Sequence, residues 1–193
     1  MNQLCFATNN QNKIKEIASL LGSDFTLRSL EDIGCHTEIP EPYDTIAKNS
    51  MGKARYVWEQ FGVDCFADDT GLEVFALDHA PGVLSARYAG PQRLADDNMN
   101  LLLSNLAPYT DRSARFLTVI TLVINGTFHQ FEGEVIGTIL KEKRGGQGFG
   151  YDPIFMPEGQ SLTFAEMELS KKNTMSHRAR AFAKLVDFLQ KKS

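Results

Sequence analysis

The sequence predicts an α/β domain built on a mixed sheet with one antiparallel hairpin. Short apolar runs typical of buried strands alternate with segments whose apolar residues recur at helical spacing. A β-branched run at 114–124, the pair Asn125-Gly126 and a return strand at 127–140 together predict the hairpin. With 193 residues, 42% of them apolar, the chain can bury a sizeable core, and no linker divides residues 1–193 into separate domains.

In the first half of the chain, strands and helices are expected in turn. Gly22 is a candidate C-terminal cap for the first helix, and Asp44 is a candidate N-cap for the second. Because Thr70-Gly71 favours a turn, we expect one strand to end there and another to begin. The predicted elements are strands at 4–8, 64–69 and 72–77, a weaker strand signal at 26–30, and helices at 12–22 and 44–62.

The second half contains two stretches rich in glycine and proline. Residues 78–92 predict a long surface loop, of a length that is uncommon in proteins unless the loop is functional. Residues 144–155 predict a glycine-rich loop. Helical periodicity returns at 93–106 and again at 177–190, where Ser176 is the candidate N-cap.

Composition argues against several classes of protein. The formal net charge is −4 and the basic residues are dispersed until the last third, so a nucleic-acid partner is not expected. The three cysteines include no C-x-x-C pair, which argues against a disulfide framework and a zinc site and favours a reducing, cytoplasmic location. No apolar stretch approaches the roughly 18 residues that a membrane span needs, so we expect neither a membrane partner nor a signal peptide.

Paired carboxylates distinguish the stretch "ADDTG" at 67–71. Neighbouring side chains on a strand point to opposite faces, but a strand that ends here could turn Asp68 and Asp69 to one side. Mg²⁺ prefers such oxygen ligands, and one carboxylate can take a proton from water while the other binds the metal. Glu41, placed between two prolines, is a further candidate ligand if the fold brings it close. A plain D-D-T-G turn is the alternative.

The stretch "GGQGFGYDP" at 145–153 surrounds Phe149 with four glycines. Glycines let backbone N–H groups approach a ligand closely. A ring displayed on such a loop is a candidate stacking platform for a nucleobase. A flexible hairpin loop with a partly exposed ring is the alternative.

Two predicted helices begin with cations, where the helix dipole disfavours them. Lys13 and Lys15 open the first helix, and Lys172, His177 and Arg178 lie around the start of the last. A solvated basic face is the usual explanation, but helix N-terminal amides joined by Lys or Arg also form a phosphate site. The residues alone therefore predict Mg²⁺-dependent chemistry on a phosphorylated substrate, with a nucleobase as a candidate part of it.

Four motifs carry a resemblance to a known family. "ATNNQNK", "ADDTGLEVFALDHAPGVLSARYAG", "GFGYDPIF" and "KKNTMSHRARA" resemble, in this order, the motifs of the inosine/xanthosine triphosphate pyrophosphatases, the HAM1-like family. The resemblance implies hydrolysis of ITP, dITP and XTP to the monophosphate and pyrophosphate, with Mg²⁺ as cofactor, by a homodimer. It also implies an elongated α/β fold in which a mixed central sheet with flanking helices forms two lobes around an active-site cleft.

The resemblance also implies roles for individual residues. Asp69 would be the catalytic base, and Glu41, Asp68 and Asp69 would hold Mg²⁺. Phe149 would stack on the purine, and Arg178 would donate to the 6-keto oxygen that distinguishes hypoxanthine from adenine. The implied substrate-binding residues are Thr8, Asn9, Asn10, Gln11, Asn12, Lys13, Thr70, Phe149, Gly150, Tyr151, Asp152, Lys172, His177 and Arg178.

Two stretches depart from the pattern of the family. Lys48-Asn49-Ser50 stands where Glu-Asn-Ala is usual, and Asp78-His79 stands where two glycines are usual. We expect both departures to lie outside the immediate site, and a Lys48 that faced the metal would weaken the ligand set.

Two other functions remain open at this point. A Maf-like pyrophosphatase, acting on methylated or pyrimidine nucleotides, is disfavoured by the glycine-Phe-glycine loop and by the "SHRARA" run. A non-catalytic nucleotide-binding protein is disfavoured because mere binding does not require a cluster of acids beside phosphates.

Overall fold

The structure, a computed structural model, describes residues 2–20 and 25–191. The strands are β1 (Asn2–Phe6), β2 (Phe25–Arg28), β3 (Cys65–Val74), β4 (Ser113–Ile124), β5 (Thr127–Ile139) and β6 (Phe155–Pro157). The helices are α1 (Gln11–Leu20), α2 (Ile46–Phe61), α3 (Ala95–Leu106), α4 (Leu169–Lys172) and α5 (His177–Gln190).

Within the described residues the strands form one mixed sheet in the order β2-β1-β3-β4-β5-β6. β1 runs parallel to β2 and to β3, whereas β6 runs antiparallel to β5. Asn125 and Gly126 join β4 to β5, and both have positive φ, 48° and 76°, as a two-residue type I′ turn requires. The predicted mixed α/β fold and its hairpin are therefore confirmed.

The chain divides into two compact units. Unit 1 takes its residues from 1–69, 118–133 and 178–193, and unit 2 takes its residues from 70–117 and 134–177.

The core of unit 1 lies on both faces of its strands. Leu4 and Phe6 of β1 pack in one apolar cluster with Ile17 of α1 and Phe182 of α5. The alternate residues of the same strands pack in a second cluster with α2, which contains Cys5, Ala7, Ala54, Val57, Cys65 and Ala67. Because both faces of β1 are covered at its carboxyl end, Leu4, Cys5 and Phe6 form an apolar run there instead of alternating with polar residues.

Unit 2 has its own apolar core. α3 contributes Met99, Leu102 and Leu106, which pack with the last residues of β3 and the first residues of β4. Phe116 lies 4.6 Å from Phe155 between ring centroids, so the aromatic side chains close this core.

Several predicted boundaries are wrong. β3 runs without a break from Cys65 to Val74, where the sequence predicts two strands separated by a turn, and residues 75–77 form a 3-10 turn. Thr45, and not Asp44, caps α2, because its side chain accepts the Lys48 N–H at 3.1 Å. The predicted cap Gly22 lies outside the described residues. The loop predicted at 78–92 contains a 3-10 turn at Gly82–Arg87.

Candidate functional site

Asp68 and Asp69 lie within β3 and are both buried, at 1% and 8% exposure. Asp68 accepts a hydrogen bond from the Lys13 Nζ at 2.9 Å and one from the Arg178 Nε at 3.3 Å. Asp69 lies 3.4 Å from the Lys53 Nζ. The two neighbouring carboxylates therefore engage different cations. This agrees with the alternation of side chains along a continuous strand, and the expectation that the strand ends at them is wrong.

Two further carboxylates complete this group. Glu16 of α1 binds the guanidinium of Arg178, and Glu41 accepts a hydrogen bond from Lys53 at 2.5 Å. We call Lys13, Glu16, Glu41, Lys53, Asp68, Asp69 and Arg178 the ion cluster. All of its residues belong to unit 1.

The turn before α1 places Lys13 in the ion cluster. The Asn10 Oδ1 accepts the backbone N–H groups of Asn12 at 3.0 Å and Lys13 at 3.3 Å, so Asn10 caps the helix. The Thr8 Oγ1 accepts the N–H of Asn10 at 3.2 Å. The side chains of Asn9, Gln11 and Asn12 are exposed. The polar residues of this turn therefore build the helix start and leave several side chains in solvent.

The pKa values of Asp68 and Asp69 are shifted in opposite directions. Burial by itself would raise the pKa of Asp68, but Lys13, Arg178 and Lys53 hold that pKa well below its ordinary value. Burial raises the pKa of Asp69, because Lys53 and Lys13 offset the loss of hydration only in part. Two carboxyl groups whose pKa values are driven apart by their surroundings are typical of sites where one group stays ionised and the other accepts a proton.

The lysines of the ion cluster also differ. Burial lowers the pKa of Lys13, and the pairing with Asp68 does not fully compensate. For Lys53 burial has the same effect, but Asp69 and Glu41 outweigh it and its pKa is raised. The charged form of Lys53 is favoured because its ammonium group lies near two carboxylates. The charged form of Asp69 gains less, because Asp69 shares that ammonium group with Glu41.

The predicted metal ligands Glu41, Asp68 and Asp69 all belong to the ion cluster. Their oxygen donors fit a hard divalent cation. Over residues 2–20 and 25–191, however, no three His, Cys, Asp or Glu side chains are arranged as a ready metal site. In this arrangement lysine and arginine groups engage each of the three carboxylates, so a metal ion would compete with those cations for the carboxylate oxygens.

The glycine-rich loop in unit 2 is built around a buried ion pair. The Asp152 Oδ2 accepts the Phe149 N–H at 2.8 Å and the Lys172 Nζ at 2.7 Å. The Lys172 ammonium also lies 5.2 Å from the centre of the half-buried Phe149 ring. Gly148 has φ of 73°, and a Cβ there would clash with the Asp152 Oδ2. Only glycine therefore permits the hydrogen bond that fixes Phe149.

Two other predicted site residues are fixed inside unit 2. His177 is buried and stacks on Phe116, with ring centroids 4.5 Å apart. The hydroxyl of Tyr151 donates to the Ser85 carbonyl at 2.8 Å, and burial raises the pKa of this hydroxyl. Ser85 in turn accepts the N–H of Leu72 through its hydroxyl, at 2.9 Å. The 82–87 turn is thus tied both to β3 and to the loop that carries Phe149.

The departures from the family's pattern now have structural explanations. Lys48 is exposed and pairs with Asp44 at 2.9 Å, so it is not a cation of the ion cluster. Ser50 is buried, and its hydroxyl donates to the Ala67 carbonyl at 3.0 Å. The same hydroxyl bonds to Thr121 at 2.9 Å.

Asp78 and His79, which stand where the family usually has two glycines, have backbone conformations that favour glycine. These residues have φ of 51° and 64°, in the left-handed region that favours glycine. His79 places its Nδ1 3.3 Å from the Glu73 carboxylate. The side chains are thus accommodated at the cost of backbone strain.

Sequence reasoning missed Glu16 and Lys53 of the ion cluster. Glu16 lies three residues after Lys13 and directly before the buried Ile17, so a charged residue on the apolar face of a helix was its available signal. Lys53 is likewise a buried residue of α2, next to Ala54. Neither signal names a partner, because the partners lie elsewhere in the sequence.

Known proteins resemble this chain over almost its whole length. A sequence model of the Ham1 family matches residues 4–188. The chain belongs to the Ham1 family. A relative from Flavobacterium psychrophilum named dITP/XTP pyrophosphatase is 54% identical, over 97% of this chain and 99% of its own length. One of the same name from Porphyromonas gingivalis is 52% identical over 98% of each chain.

Solved structures of Ham1 proteins share the fold. The Staphylococcus aureus Ham1 protein matches with a TM-score of 0.91 and 34% identity, over 100% of both chains. A HAM1 protein from Coxiella burnetii matches with a TM-score of 0.92 and 34% identity, over 99% of this chain and 100% of that chain. In the part of the chain that the structure describes, no helix is long and apolar enough to cross a membrane.

Proposed function

We propose that this chain hydrolyses ITP, dITP and XTP to the nucleoside monophosphate and pyrophosphate, and so removes deaminated purines from the nucleotide pool. The single observation that carries the proposal is the pair of adjacent buried aspartates, Asp68 and Asp69, set among the cations Lys13, Lys53 and Arg178. Relatives that are 52–54% identical and named dITP/XTP pyrophosphatase support the substrate class.

The ion cluster supplies the groups that a triphosphate requires. Lys13 lies in the first turn of α1, where the backbone amides and the helix dipole also favour an anion. In the free protein, carboxylates neutralise the ammonium groups of Lys13 and Lys53. Phosphate oxygens can replace those carboxylates as partners of the lysines and leave carboxylate oxygens for a metal ion.

Mg²⁺ is the metal proposed for the carboxylates of Glu41, Asp68 and Asp69, because all three offer the hard oxygen donors that it prefers. When bound, Mg²⁺ supplies positive charge against the phosphates. Asp68 remains ionised over the whole working range, since its pKa is held low by its cations. It therefore supplies a permanent negative charge on β3.

Asp69 is proposed as the general base. Burial raises its pKa, so it binds a proton more strongly than an ordinary aspartate. It takes a proton from a water molecule, whose oxygen forms a bond to phosphorus as the bond to the pyrophosphate leaving group breaks. Lys13 stabilises the charge that develops on the departing oxygens.

The loop in unit 2 is proposed for the nucleobase. Phe149 is held by the Asp152 carboxylate and is half-buried, which leaves ring surface for stacking on a purine. Arg178 remains the proposed donor to the 6-keto oxygen, with its guanidinium oriented by Glu16 and Asp68. Arg178→Ala tests this role by the turnover of ITP relative to ATP, and unchanged discrimination would contradict it.

A product assay tests the proposed activity. Purified protein with Mg²⁺ and a panel of nucleoside triphosphates should release pyrophosphate from ITP, dITP and XTP, and little from ATP or GTP. Orthophosphate as the product, or no product, would refute the proposal. Release from methylated or pyrimidine nucleotides alone would favour the Maf-like alternative, and binding without turnover would favour a nucleotide-binding protein.

Neighbouring variants separate the two aspartates. Asp69→Asn should abolish turnover while the protein stays folded, because the proton acceptor is lost. Asp68→Asn should lower both turnover and the free energy of unfolding, because the ionised Asp68 carboxylate neutralises Lys13 and Arg178. Full turnover by Asp69→Asn would overturn the assignment of the base.

A homodimer in a reducing, cytosolic compartment is also proposed. The three cysteines are free and buried, which supports a reducing environment. The dimer is supported by the resemblance to the family alone, and sedimentation of the purified chain tests it.

A further inference from the structure

Glu41 lies in a short segment with few backbone hydrogen-bond donors. Residues 40–43 have no regular secondary structure. Pro40 and Pro42 have no backbone N–H, so only Glu41 and Tyr43 can donate hydrogen bonds from this part of the main chain. Contacts from other elements of unit 1 are therefore expected to fix the position of the Glu41 carboxylate.

Asn49 of α2 holds the backbone of this segment at two points. The Asn49 Oδ1 accepts the N–H of Tyr43 at 2.9 Å, and the Asn49 Nδ2 donates to the carbonyl of the same residue at 3.2 Å. The Asn49 side chain is buried, with 1% exposure. Both ends of one amide are thus committed to a single residue, two positions after Glu41.

The same helix also contacts the side chains of the segment. A Cβ at Gly52 would lie 2.5 Å from the Tyr43 Cε2, so the Tyr43 ring packs directly over this glycine. The Lys53 Nζ donates to the Glu41 Oε1 at 2.5 Å and lies 3.4 Å from the Asp69 Oδ1. α2 therefore sets where Glu41 lies relative to Asp69, through the backbone by Asn49 and through the carboxylate by Lys53.

We propose that Asn49 is a positioning residue for Glu41, and that it acts on turnover by fixing where the Glu41 carboxylate stands. This inference rests on the proposed function, in which Glu41 contributes to metal binding. Outer partners that orient ligand side chains typically contribute about 10- to 100-fold to metal affinity or activity. A merely structural Asn49 would lower stability without acting through Glu41.

The chain offers a matched control for a buried amide of this kind. Asn98 of α3 is 4% exposed, accepts the Ala89 N–H at 2.7 Å and donates to the Ala86 carbonyl at 3.1 Å. It holds a different loop, in unit 2, by the same chemistry. Asn98→Ala should therefore lower the urea midpoint about as much as Asn49→Ala, and any effect it has on turnover should not depend on Glu41.

The test is a double-mutant cycle in single-turnover pyrophosphate release from dITP with Mg²⁺, with enzyme in excess so that slow variants remain measurable. The variants are Asn49→Ala, Glu41→Gln, the double variant, and the same set with Asn98→Ala. Asn49→Ala should slow release about 10- to 100-fold, and should have little further effect when Glu41→Gln is already present. Should Asn49→Ala fail to fold, Asn49→Ser, which is uncharged and too short to reach both backbone groups of Tyr43, takes its place with the same expected dependence on Glu41.

The outcomes separate the inference from the proposed function. An equal slowing by Asn49→Ala in both backgrounds, as for Asn98→Ala, would overturn the positioning role and leave the role of Glu41 intact. Wild-type turnover by Glu41→Gln would overturn the proposed role of Glu41 and this inference with it. Hydrogen exchange on the metal-free protein gives a second readout. Asn49→Ala should accelerate exchange at Glu41 and Tyr43, and unchanged exchange there would also overturn the inference.

Discussion

Replacing Arg178 with methionine is expected to lower the free energy of unfolding by about 3–5 kcal/mol at neutral pH, the usual cost of removing one partner of a buried ion pair. Arg178 is 2% exposed, and its guanidinium binds both Glu16 and Asp68. Asp68 keeps Lys13 as a partner, but Glu16 loses the arginine that neutralises it. Methionine fills much of the vacated space, so the loss reports charge rather than a cavity.

A second substitution checks that uncompensated charge is the cause. Adding Glu16→Gln to Arg178→Met removes the charge of the carboxylate that Arg178 binds in the wild-type protein. The double variant should therefore recover roughly 2 kcal/mol of the loss. Urea unfolding followed by circular dichroism measures all three proteins, and equal slopes with denaturant ensure that the midpoints are comparable.

The pH dependence of the free energy of unfolding provides a second test of the charge explanation. The pKa of Asp68 is lowered in the folded state, so its contribution to stability is complete above the unfolded pKa of about 4 and is lost as the pH falls through the folded value. Arg178→Met weakens this contribution, so the difference from wild type should shrink below about pH 4. A loss under about 1 kcal/mol at pH 7, or a loss independent of pH, would refute the reasoning.

Three further predictions follow from single side chains. Because burial raises the pKa of Asp69, ionising it opposes folding above that pKa, so Asp69→Asn should unfold at a higher urea concentration at pH 7 and show no such gain below about pH 4. Asp78→Gly and His79→Gly should each raise stability by about 0.5–1 kcal/mol in urea melts, since glycine relieves their positive φ, and a loss would contradict the strain. Ser50→Ala should cost about 0.5–1.5 kcal/mol, because the Ala67 carbonyl and the Thr121 hydroxyl each lose a hydrogen-bond partner, and an unchanged urea midpoint would show that water replaces the hydroxyl.

Local patterns in the sequence predicted much of the fold. The helical periodicity of 177–190 agrees with α5, and the Asn125-Gly126 signal agrees with the turn between β4 and β5. Both depend on neighbouring residues only: one on a repeat along the helix, the other on residues that tolerate positive φ. The prediction that a strand ends at "ADDTG" was wrong because β3 is paired in the sheet between β1 and β4. Pairing with both neighbours overrides the local tendency of Asp-Thr-Gly to form a turn.

For the candidate site, the sequence by itself determined which charged residues stand out, and the tertiary structure decided which of them pair. Cations at the starts of α1 and α5 and two adjacent aspartates were visible as anomalies, since their residue types conflict with the helix dipole and with a buried strand. Which cation meets which acid was not visible. Lys13 and Asp68 are 55 residues apart, and Arg178 and Asp68 are 110 apart. Only the packing of α1 and α5 against the same strands brings these charges into contact, and burial there drives the pKa values of Asp68 and Asp69 in opposite directions.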